Sequence, residues 1–163
     1  MANPLYGQNK ADGNIGWLQN SSIKDHGTLG DNLVLVATDM VDSCAHQCDP
    51  AAARNITTPT AAQIVAAMKV KASDSKCVDG DTFQFSFINA GTAGADETCT
   101  MVAGTGVTLV GAPEIENPSN VHDAFSSGSG LFAVHVTKAV SGSEAVSLIL
   151  ELKNVPEVLI KIF

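Results

Sequence analysis

Cys44, His46 and Cys48 lie together in the stretch SCAHQCDP (43–50), and their types suit a metal knuckle, a redox pair or a disulfide staple. A structural zinc site requires two knuckles, each a pair of Cys or His a few residues apart. The remaining cysteines, Cys77 and Cys99, are too far apart in sequence to form a second one. Thiol redox catalysis favours Cys-x-x-Cys on a βαβ scaffold, and neither the spacing Cys-x-x-x-Cys nor such a scaffold is present. The expectation is therefore no functional metal. Cys44 and Cys48 stand as a candidate disulfide, with free buried thiols as the alternative.

The other reactive residue types are dispersed. Of His26, His46, His122 and His135, the last belongs to an alternating stretch and reads as a strand residue on the face opposite its apolar neighbours. The pairs Asp25-His26 and His122-Asp123 are sequence neighbours, whereas a base and the group that orients it meet through the fold. Ser129 sits in Gly-Ser-Gly rather than a nucleophile elbow. The acidic run from Asp74 to Asp81 fails as a calcium loop, because its Gly falls at position 7 rather than 6 and no Glu occupies position 12. Gly104-Thr105-Gly106 lacks the third Gly and following helix of a dinucleotide site and reads as a turn. No nucleophile, base and anion hole come together, so the expectation is a protein without enzymatic activity or cofactor.

The composition is consistent with that. Of 163 residues, 45% are hydrophobic and only 16% charged, against roughly a quarter charged in an average domain. Sparse surface charge suggests that part of the surface is covered by partners. The net charge is −8, and the nine basic residues are scattered. Phosphate backbones need clustered Lys and Arg, so nucleic acid is excluded as a partner, as is an anionic membrane surface. No apolar run approaches the length of a membrane span, and the polar opening lacks the pattern of a signal peptide. Synthesis and first folding in a reducing cytoplasm are expected.

Positioning elements follow from periodicity. Residues 1–30 are rich in Gly and Asn with isolated apolar residues, which predicts an extended N-terminal arm whose Tyr6, Trp17 and Leu18 form a candidate interface. Beyond it, NLVLVATDMV (32–41) reads as a strand buried on both faces. In TFQFSFI (82–88) Phe83, Phe85 and Phe87 share one face. Further strands are expected over 97–103, 107–111, 131–137, 145–152 and 157–163, with turns at 78–81, 88–96, 104–106, 126–130 and 140–144. TPTAAQIVAAM (58–68) predicts one short helix, capped by Thr58, with Ala61, Ile64, Val65 and Met68 inward. No internal repeat or linker is evident. The expected architecture is all-β: an antiparallel sandwich or jelly-roll-like domain over 31–163, carrying one short helix and preceded by the arm 1–30.

Two stretches carry a resemblance. MANPLYGQNKADG (1–13) resembles the start of small virion proteins of marine tailed bacteriophages, cyanophages in particular. PTAAQIVAAMKV, GDTFQFSFINAGTA, TMVAGTGVTLVG and SGLFAVHVTKAVSGSEAVSLIL together resemble a β module that recurs in phage structural proteins. The four cysteines and the tail NVPEVLIKIF stand outside that pattern. The resemblance implies a virion structural protein, a capsid decoration or cement component on the capsid exterior. Its partners would be the major capsid protein and sister subunits in a homo-oligomer such as a trimer. The alternative is a fibre or receptor-binding module that recognises host glycan. Aromatics are 5% of the chain and its one Trp falls in the arm, which disfavours a glycan platform.

Overall fold

The computed structural model describes residues 22–72, 76–91, 97–116 and 128–151. Among these residues ten strands and two helices follow one another: β1 (Ile23–Leu29), β2 (Leu33–Val34), α1 (Ala37–Asp42), β3 (Ala45–Pro50), β4 (Arg54–Thr57), α2 (Ala61–Lys71), β5 (Thr82–Asn89), β6 (Cys99–Val102), β7 (Val107–Val110), β8 (Glu114–Ile115), β9 (Ser129–Lys138) and β10 (Ala145–Glu151). They form a six-stranded sheet of order β1-β3-β5-β9-β10-β7 and a four-stranded sheet of order β2-β4-β6-β8.

The expected all-β antiparallel sandwich is corrected: the protein is mixed α/β, with parallel and antiparallel pairs in both sheets. The first six strands alternate between the sheets, β1, β3 and β5 in one and β2, β4 and β6 in the other, and each set runs parallel. Parallel neighbours need a crossover, and α1 and α2 each return the chain from the smaller sheet to the larger. The result is three stacked rungs, a structural repeat with no repeat in sequence. Ile23 aligns with Ala45 and Ala45 with Ser86, so the step along the chain is 22 residues and then 41. An alternating strand shows which face is buried, and it carries no information about the direction of its neighbour. Among the described residues antiparallel pairing is confined to β5-β9-β10 and β6-β8.

Two local readings shift for identifiable reasons. The apolar run 32–41 does not make one strand; it divides into the two-residue β2 and the helix α1, whose Met40 and Val41 are buried. A short continuous apolar run does not separate strand from helix. In α2 the cap is Thr60 rather than Thr58. Thr60 Oγ1 accepts from the Gln63 amide at 3.2 Å, and Gln63 Oε1 accepts from the Thr60 amide at 2.9 Å, which closes a capping box. Thr58 is buried, and its hydroxyl accepts instead from the Gly104 amide at 2.8 Å. α2 packs on α1, and Lys71 Nζ pairs with Asp42 Oδ1 across them.

The body also begins earlier than residue 31. β1 belongs to the larger sheet, and Leu29 enters the core. Tyr6, Trp17 and Leu18 of the expected arm, and the expected strand 157–163, lie outside the described residues.

Core rows cross the larger sheet as the alternation requires. Phe85 pairs with Phe132 and then Leu150, while Phe83 pairs with Val134 and then Leu148. The Phe85 and Phe132 rings stack with centroids 5.4 Å apart. Ala61, Ile64, Val65 and Met68 are all buried in the same cluster. At the sheet's other end the buried Asn89 amide ties the layers together. Its Nδ2 donates to the carbonyls of Glu97 and Ile115, and its Oδ1 accepts from the Gly91 amide at 3.0 Å.

Candidate interaction surface

An exposed apolar face emerges where the first two rungs meet their helices. Val34 ends β2, Val36 precedes α1, and Val70 lies near the end of α2; they are 65%, 54% and 84% exposed. These three converge on a groove of about 600 Å³ whose wall continues through Ala37, Thr38 and Ala66. Thr38 and Gln63 are the polar residues of that wall, and it contains no ionisable side chain. The groove can receive apolar side chains, and no acid or base lines it. The readable signal was Val70, an aliphatic residue outside the Ala61, Ile64, Val65, Met68 stripe of its helix.

The neighbouring sheet edges are blunted. β1 occupies one edge of the larger sheet, and its register breaks between Asp25 and Thr28, where Gly27 adopts a φ of 64°. That bulge, the flanking Lys24 and Asp25, and the two-residue length of β2 oppose strand addition from outside.

The histidines form a pair that the sequence did not announce. Across the first two rungs, His26 Nε2 lies 3.1 Å from His46 Nδ1, and the rings stack 13° from parallel. His46 is fully buried with Phe85 edge-on at 5.6 Å, and its Nε2 has no hydrogen-bond partner among the described residues. Burial, and then the neighbouring His26, push its pKa down to about 4. His26 is also lowered, first by burial and then by Lys24, whose ammonium pairs with Asp39 at 3.1 Å. His135 lies on β9 facing away from the core, as expected. Among the described residues no three His, Cys, Asp or Glu side chains gather as metal ligands.

The candidate disulfide residues separate. Cys44 Sγ donates to the Ser22 carbonyl at 3.3 Å, whereas Cys48 is buried with its sulfur 3.6 Å from that of Cys99. β3 is extended between the first two, which holds their Cα atoms roughly 13 Å apart, far beyond disulfide reach. All four cysteines are free thiols. The S–H···S contact with Cys99, and then burial, raise the Cys48 pKa; Cys77, beside Met68, is pushed up to about 12 mainly by burial. Neither Cys48 nor Cys77 is poised as a thiolate nucleophile, whereas the same contact with Cys48 lowers the Cys99 pKa.

Among the described residues no helix is long and apolar enough to cross a membrane. No family model, curated protein or solved structure matches the chain.

Proposed function

We propose that this chain is a non-enzymatic structural component of a virion that decorates or cements the capsid surface through contacts with the major capsid protein and sister subunits. The observation that carries this reading is the uncharged apolar groove between β2, α1 and α2, where three of the seven large aliphatic residues exposed among the described residues converge. Solvent-exposed aliphatic clusters of this kind mark surfaces that a partner covers. The resemblance of residues 1–13 and of the β segments to phage structural proteins supports the same reading, and Tyr6, Trp17 and Leu18 would add contacts from the N-terminal segment.

The test is co-sedimentation with undecorated particles. Replacing Val36 and Val70 by Glu leaves the core untouched and places two carboxylates on the groove. Burying a valine contributes about 1.5–3 kcal/mol, so particle affinity should fall at least tenfold while the melting temperature holds. Undiminished decoration by the double variant would reject the groove as the contact. Copy number tests the role itself: hundreds per particle fit decoration, and a dozen or so place the protein at a vertex or tail.

A further inference from the structure

We propose that Cys48 and Cys99 form a latent disulfide site that closes when the protein meets an oxidising environment, joining the two sheets through the core. Cys48 lies on β3 of the larger sheet and Cys99 opens β6 of the smaller one, and both are fully buried. Their sulfurs are 3.6 Å apart. A disulfide bond is about 2.05 Å long, so the sulfurs need to approach by roughly 1.5 Å.

The surroundings hold this pair together and keep competitors away. Cys48 is the register partner of Asn89, and Cys99 is that of Ile115. Asn89 Nδ2 donates to the Ile115 carbonyl at 3.1 Å, so the strands beside both cysteines are bound to each other. The other two thiols are engaged elsewhere, Cys44 with the Ser22 carbonyl and Cys77 with the Met68 sulfur.

Hydrogen peroxide is small enough to serve as the two-electron oxidant for a buried pair. One thiol attacks the peroxide to give a sulfenic acid, releasing water. The second sulfur then attacks the sulfenic sulfur, forming the S–S bond and releasing a second water. Two thiols and one peroxide thus yield one disulfide and two waters. Disulfides persist outside reducing compartments, so the site would stay open as thiols at synthesis and close afterwards. The inference is independent of the capsid role.

The test has two arms on the full chain. In one, folded protein is treated with hydrogen peroxide; in the other, denatured protein refolds in a mixture of reduced and oxidised glutathione. Each product is alkylated, weighed intact and digested without reduction. The expected result in at least one arm is a loss of two hydrogens and a peptide linked through Cys48 and Cys99. The variant lacking Cys44 and Cys77 should retain that link, and Cys48→Ala should abolish it. Absence of the Cys48–Cys99 peptide from both arms, or linkage only through Cys44 or Cys77, would overturn the proposal.

Discussion

The imidazole of His46 lies against that of His26, ring centroids 5.4 Å apart, and joins the first rung to the second. Protonating His46 places a charge in the core beside a second histidine, on a ring whose own Nε2 has no hydrogen-bond partner among the described residues. Its pKa is about 4 in the fold against an ordinary 6.5, so the unfolded chain binds the proton more readily between those values. Stability is therefore complete above about pH 6.5 and declines as the pH falls towards 4, by up to about 3 kcal/mol from this group. Asp39 opposes the shift and Lys24 reinforces it. Denaturant melts of the wild type and His46→Gln across pH 4–7 check this, and the variant should lose most of the decline.

Phe85 is 1% exposed, stacked on Phe132 and edge-on to His46. Phe85→Ala should cost about 3–5 kcal/mol, the range for deleting a buried aromatic side chain. Chemical denaturation measures it. An unchanged midpoint would mean that the Phe stripe is not the core row described above.

Gly104 packs against the chain entering α2. A Cβ there would lie 2.5 Å from the carbonyl oxygens of both Thr58 and Pro59. Backbone cannot swing aside as a flexible side chain does, and the Gly104 amide is held by Thr58 Oγ1. Gly104→Ala should destabilise by about 2–3 kcal/mol, in the manner of an overpacked site. Gly142, whose added Cβ would meet nothing within 4 Å, has a φ of 82° and serves as a control for backbone strain alone.

Two truncations separate the N-terminal segment from the folded body. Removing residues 1–30 deletes β1, with its ladder to β3 and the buried Leu29. Lost ladder bonds at about 0.5–1 kcal/mol each, together with Leu29, predict a loss of roughly 3 kcal/mol or more. Removing residues 1–21 leaves every described strand in place and should preserve the melt. Circular dichroism melting of both truncated chains discriminates these outcomes, and equal melting would show that β1 adds nothing to the fold.

Much of the secondary structure was legible because it follows from local periodicity. Phe83, Phe85 and Phe87 alternate with Thr82, Gln84 and Ser86, and a period of two specifies a half-buried strand whatever its neighbours are. Ala61, Ile64, Val65 and Met68 mark the inward stripe of α2 in the same way. Pairing is a different kind of information. Whether β3 runs parallel to β5 depends on where α2 and the chain after it return, and no residue of either strand encodes that path. The steps of 22 and 41 residues between rungs differ, so the repeat left no period to detect. The site was legible only in part for the same reason. The sequence displayed Cys44 and Cys48 four residues apart, yet an extended strand keeps them apart. Tertiary structure brought Cys99 to Cys48 and His26 to His46, and it gathered Val34, Val36 and Val70 from three elements into one groove. Local sequence determines which face of each element is apolar; only the stacking of rungs decides which residues from distant parts of the chain meet.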